Sequence, residues 1–130
     1  MTRRRIATVT LVVDDYDRAK AHYCDALGFA CLSDLPLGDG KRWVVVAPSG
    51  DAGAGLLLAR ADCDDQIAAI GNQTGGRVAF FLETDDFARD HARFVSAGIH
   101  FLEEPRHETY GKVAVFEDLY GNRWDLIQPF

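Results

Sequence analysis

A chain of 130 residues, 48% hydrophobic and 26% charged, is long enough to bury a core and too short for two independent domains. Its 14 Lys and Arg against 20 Asp and Glu leave a net charge of -6. That balance excludes the clustered basic surface a nucleic-acid partner needs, and it suits a cationic guest.

Residues 6–13 alternate as a half-buried strand, with Ala7, Val9, Leu11 and Val13 on one face and Ile6, Thr8, Thr10 and Val12 on the other. Asp14 or Asp15 can cap the element that follows, in which Tyr16, Ala19, Tyr23, Ala26 and Leu27 fall at helical spacing before Gly28 ends it. Residues 29–32 read as extended and residues 36–40 as a turn. Residues 42–47 and 56–59 read as two further strands, separated by a Gly-rich turn over 48–55. The segment 61–75 predicts a short connecting helix and a hinge.

The second half repeats this grammar. Asp86 answers to Asp15, Phe87 to Tyr16 and Phe94 to Tyr23 at one constant offset, and the later turns match as well, Pro48 with Asp118 and Asp51 with Gly121. Strands are expected over 77–82, 99–102, 112–116 and 123–128. A helix is expected over 87–97 with Phe87, Phe94 and Val95 inward, and a charged loop over 103–111. The chain is therefore expected to be α+β, one domain over 1–130 made of two βαβββ modules, 6–60 and 76–129, joined at 61–75.

Cys24, Cys31 and Cys63 have neither metal-site nor redox spacing, so reduced thiols and a cytoplasmic setting are expected. The arginines near the start are not followed by a signal-peptide pattern, and no apolar run approaches the ~20 residues that cross a bilayer, so no membrane association is expected.

Asp15, His22-Tyr23, Leu27-Gly28-Phe29 and the closing Asp118, Gly121 and Asn122 together resemble the vicinal oxygen chelate superfamily, which includes glyoxalase I, extradiol dioxygenases and bleomycin-resistance proteins. The resemblance runs over nearly the whole chain, with His22 in place of the usual first aromatic. It implies mixed sheets that curl around a shared cavity, commonly closed by dimerisation, with the pairing of modules within or between chains left open. In metal-using members each module supplies one ligand from its first strand and one from its fourth. Those places fall here on Thr8, on Ala79 or Arg77, within 55–57 and on Asp125. Only Asp125 is a donor of the usual kind, so no metal and no other cofactor is expected.

The candidate ligand-binding residues are Thr8, Thr10, Arg77, Phe81, His107, Tyr110 and Asp125. Alternation directs Asp125 away from Trp124 and Leu126 and toward the cavity, where it would anchor a cation or pair with Arg77 or Arg123. Thr8, Thr10, Arg77 and Phe81 share the implied cavity face, and His107 and Tyr110 border its mouth. His22, His91 and His100 read as surface or packing residues, Trp124 as core and Trp43 as a pocket or dimer residue. The leading expectation is a metal-free small-molecule-binding protein, a homodimer, that sequesters a cationic ligand or drug. The alternatives are a glyoxalase-type lyase or isomerase working through Asp125, His107 and Tyr110, and a partner-recognition module with an exposed apolar patch.

Overall fold

Each half of the chain packs one helix on one face of one sheet. The computed structural model describes residues 2–49 and 53–130, and two compact units are distinguished, Met1–Ile70 and Gly71–Phe130. The expected turn over 48–55 and the match of Asp51 with Gly121 fall partly on residues 50–52, which lie outside the described residues.

In the first unit β1 (Thr8–Val13) leads through α1 (Tyr16–Ala21) to β2 (Ala30–Gly38), β3 (Lys41–Ala47) and β4 (Gly55–Arg60), in the sheet order β1-β4-β3-β2. β1 and β4 run parallel, and the other pairs are antiparallel. Asp15 caps α1, its carboxylate accepting from the Arg18 N–H at 2.9 Å. The helix then widens into a π-helical turn, His22–Ala26, before Gly28 takes a φ of 73° that a Cβ would strain. Tyr16, Ala19, Tyr23 and Leu27 are buried against Leu11, Val13, Val44, Val46, Leu56 and Leu58. Each such large apolar side chain stabilises the fold by about 1.5–3 kcal/mol relative to exposure.

β2 runs well past the residue 32 expected from sequence. It is an edge strand, where Pro36 is tolerated, and Asp34 on it holds an ion cluster that ties strand to helix. Asp34 accepts from Arg42 at 2.8 and 3.1 Å and from Lys20 at 2.9 Å, while Arg42 also reaches Asp17 at 2.9 Å. A further short helix, α2 (Asp64–Ala69), follows β4.

In the second unit β5 (Val78–Glu83), α3 (Phe87–Ser96), β6 (His100–Phe101), β8 (Gly111–Glu117) and β9 (Arg123–Pro129) repeat the pattern in the order β5-β9-β8-β6. Phe87, Phe94, Phe116, Trp124 and Leu126 form its core. Val95, expected inward, is 53% exposed, because His91 fills the inward position and lies 4.2 Å from the Phe101 ring. The expected charged loop contains an additional strand, β7 (Arg106–Glu108), paired with β8 through a two-residue turn. Arg106 ties that segment together, reaching Glu103 at 2.8 Å and Glu108 at 2.7 Å. The fold is thus α+β with two tandem modules, as the sequence repeat implied.

The closing turn of the second module is held by one buried side chain. Asp118 accepts from the backbone N–H groups of Tyr120 and Asn122, both at 3.0 Å, from the Asn122 amide and from Trp124 Nε1 at 3.1 Å. Gly71, at a φ of 74°, packs directly on this turn, so that a Cβ there would collide with the Tyr120 carbonyl.

Two outcomes follow from this packing. Gly71→Ala is expected to lower stability by about 2 kcal/mol or more, read as a fall in denaturation midpoint; an unchanged midpoint would mean that the turn is free to move away. Hydrogen bonds from Arg42 and then Lys20 hold the Asp34 carboxyl down to about 2. The unfolded chain therefore binds this proton more tightly, and the stabilisation is lost as pH falls from the ordinary Asp range of about 4 through about 2. In acid titrations followed by circular dichroism, Asp34→Asn should unfold with a shallower dependence over that window.

Candidate functional site

Strand register places the candidate site on the sheet face of the second unit that α3 does not cover. Residues directly opposite one another share a face, and faces alternate along a strand. Lys112, Ala114, Phe116, Trp124 and Leu126 belong to the helix side. There the Lys112 ammonium sits 4.9 Å from the Phe87 ring centroid, and Gln128 Oε1 accepts from the Phe87 N–H at 2.8 Å. The opposite face carries Asp125 between Val115 on β8 and Phe81 on β5, with Val113 opposite both Ile127 and Arg106.

Asp125 is 8% exposed, and its Oδ1 has no hydrogen-bond partner among the described residues. A buried acceptor left without a donor is costly, more so when it carries charge. Burial accordingly pushes the Asp125 carboxyl above the ordinary carboxylate range; Arg106 opposes that rise and Glu103 adds to it. Arg106 does not pair with Asp125 because its guanidinium is already engaged by Glu103 and Glu108. Glu103 in turn accepts from the Val115 N–H at 3.2 Å. Beside this carboxylate the Phe81 ring is 68% exposed, an apolar plate on the same face.

The candidate residues are distributed as follows. Phe81 and Asp125 are brought side by side, and Tyr110 lies in the turn between β7 and β8, 53% exposed. His107 is not brought to them. It stands opposite Lys112, which places it on the helix side of the sheet. Arg77 precedes β5 and is exposed, and the irregularity between Val78 and Phe80 interrupts the alternation that had aligned Arg77 and Ala79 with Phe81. Arg123, considered as a partner of Asp125, donates instead to the Gly76 carbonyl at 3.4 Å. Thr8 and Thr10 lie in the first unit, on β1 opposite Gly55 and Leu57 of β4.

Sequence reasoning placed Glu108 beside His107 and Tyr110 at the cavity mouth but missed Glu103 and Arg106. Their signal was the alternation of charge in the segment 103–108, which reads as a solvated loop until β7 is known to pair with β8.

The donor set does not fit a divalent ion. The positions at which metal-using relatives of the resemblance carry ligands hold a threonine, a glycine or leucine, an alanine or arginine, and one aspartate. Among the described residues no three His, Cys, Asp or Glu side chains gather where they could hold a metal.

Comparison with known proteins agrees with this architecture. The family model of the Glyoxalase/Bleomycin resistance protein/Dioxygenase superfamily matches residues 5–126. An uncharacterized protein of Shewanella frigidimarina (strain NCIMB 400) is 51% identical over 127 residues, 97% of this chain and 94% of its own length. The crystal structure of UcmS2 matches with a TM-score of 0.82 at 29% identity, covering 97% of this chain and 98% of that one. That of TnmS3, an antibiotic binding protein from Streptomyces sp. CB03234, matches with a TM-score of 0.80 at 31% identity, covering 100% and 99%. A module pattern found twice in the sequence, two βαβββ sheets and a family match over nearly all of the chain agree, and the protein belongs to the Glyoxalase/Bleomycin resistance protein/Dioxygenase superfamily.

Proposed function

We propose that this protein binds a small organic cation, a drug-like aromatic molecule, and sequesters it in the cytoplasm through protein groups alone. The observation that carries the reading is the buried Asp125 oxygen, without a donor among the described residues, set beside the exposed Phe81 ring. A cationic aromatic guest answers both features: its charge or N–H group satisfies the carboxylate and its ring covers Phe81. The overall charge of -6 favours the approach of such a guest. The similarity to TnmS3, described as an antibiotic binding protein, supports the same class of role.

In this reading Tyr110 supplies a polar contact beside the guest, and a homodimer closes the site. A glyoxalase-type lyase or isomerase would need Asp125, His107 and Tyr110 to converge on one substrate. Pairing of His107 with Lys112 sets it on the other face from Asp125, and the sequestration reading is the better supported.

Calorimetric titration with proflavine, berberine and bleomycin, beside neutral aromatic compounds of matched size, tests the proposal. Binding is expected for at least one cation and should weaken about tenfold or more in Asp125→Asn, because a charge-assisted contact is lost. Equal affinity of the variant would overturn the role of Asp125. Added Zn²⁺ or Ni²⁺ should leave the melting temperature unchanged, since only a ligand of the native state raises it; a clear rise would contradict a site made of protein groups alone.

The same carboxylate should weaken the free protein. Its raised pKa means that the folded state holds the proton more tightly than the unfolded chain. Stability from this group is therefore greatest below the ordinary Asp value of about 4 and declines as pH rises through the folded value. At neutral pH Asp125→Asn is expected to melt higher than the parent protein by differential scanning calorimetry, and a lower melting point would mean that the carboxylate is structurally satisfied.

A further inference from the structure

The first unit contains a recess of about 320 Å³ where the end of β4, the start of β3 and α2 come together. Its lining includes the apolar residues Leu37, Trp43, Leu57 and Ala59, with Leu37 61% and Trp43 41% exposed. It also includes the basic residues Lys41, Arg42 and Arg60. The Arg60 guanidinium stands 5.2 Å from the centroid of the Tyr16 ring and donates to the Gly40 carbonyl at 3.2 Å. Those two contacts hold its fork in place without neutralising it, since Arg60 has no ion pair among the described residues.

Arg42 lies on the same Tyr16 ring, also at 5.2 Å, but its charge is met by Asp34 and Asp17. Arg60 and Lys41 are therefore the cations that the recess offers. Among the described residues Asp62 is the one carboxylate along its lining, and no ion pair joins it to Arg60. In a chain of net charge -6, a recess with two unneutralised cations against one acid is locally inverted.

We infer that this recess binds a small aromatic carboxylate, with the acid group on the Arg60 guanidinium and the ring against Trp43 and Leu57. A guanidinium held on an aromatic face presents paired N–H donors to a planar carboxylate, which an ammonium cannot match. The volume accommodates a one- or two-ring acid. Neither Asp125 nor Phe81 takes part, so the inference goes beyond the sequestration of a cation and is tested separately from it.

The test is a matched series titrated calorimetrically into the full chain: 1-naphthoate, 1-naphthylmethanol and 1-naphthylmethylammonium. The carboxylate is expected to bind and the other two to bind about tenfold more weakly or not at all. In proton–nitrogen NMR spectra, which show two indole signals because the chain has two tryptophans, the Trp43 signal should move and that of the buried Trp124 should stay. Arg60→Gln should weaken naphthoate about tenfold, and Arg60→Lys, which keeps the charge without the fork, should lie between. Melting curves of both variants exclude unfolding as the cause, and Asp125→Asn should leave naphthoate binding unchanged. Equal affinity across the series, no binding of naphthoate, an Arg60→Gln protein that binds as the parent does, or loss of binding in Asp125→Asn would each overturn the assignment.

Discussion

One helix covers one sheet in each module, and a sheet has two faces. In the first module Tyr16, Ala19, Tyr23 and Leu27 spend their apolar surface on Leu11, Val44 and Leu58, and in the second Phe87 and Phe94 do so on Phe116, Trp124 and Leu126. The other faces carry half-open apolar groups such as Trp43 and Phe81. Local order on the covered side is dense and specific, down to the Asp118 side chain that holds the last turn. The uncovered side also holds buried residues such as Val45 and Val113. It is therefore at the open positions that its chemistry can change without disturbing the core, and a fold built this way can carry many binding chemistries.

The two modules show that freedom by how they differ. Matching the turns at Pro48 and Asp118 sets Gly55 opposite Asp125 in the repeat. A side chain at Gly55 would have its Cβ 2.9 Å from a Val45 methyl, so the first module has no room for a carboxylate there. In the second module the carboxylate is present and buried, with an oxygen that has no donor among the described residues, while the nearby Arg106 is turned to Glu103 and Glu108. A protein selected for stability alone would pair Asp125 with that arginine or replace it. Leaving it unpaired makes sense when a partner arrives from outside.

The scaffold was legible in the sequence because it rests on short-range signals. Asp15 and Asp86 cap helices through their own first turns, Gly28 and Gly98 end them at positive φ, and apolar residues recur at the spacing of the covered face. Asp125 could be assigned to the uncovered face by alternation alone. What escaped depends on pairing between strands. β7 is three residues long and charged, and only its register with β8 brings Arg106 to the Asp125 side and takes His107 to the other. The irregularity near Ala79 is likewise invisible to a count of alternate residues, which is why Arg77 was aligned with Phe81. The π-helical turn after α1 left the inward set nearly intact, so helical spacing predicted Tyr23 and Leu27 correctly without revealing the wider turn.

In the proposed function the burial that disfavours the charged form of Asp125 is offset only when a cation satisfies it. Carbon-13 NMR titration of the side-chain carboxyls, in the free protein and in the protein saturated with the tightest-binding aromatic cation, measures this directly. The Asp125 signal is expected to titrate above the ordinary aspartate range when free and to move to lower pH when the cation is bound. An Asp125 carboxyl that titrates in the ordinary range in both states, or whose titration the cation leaves in place, would contradict the proposed function.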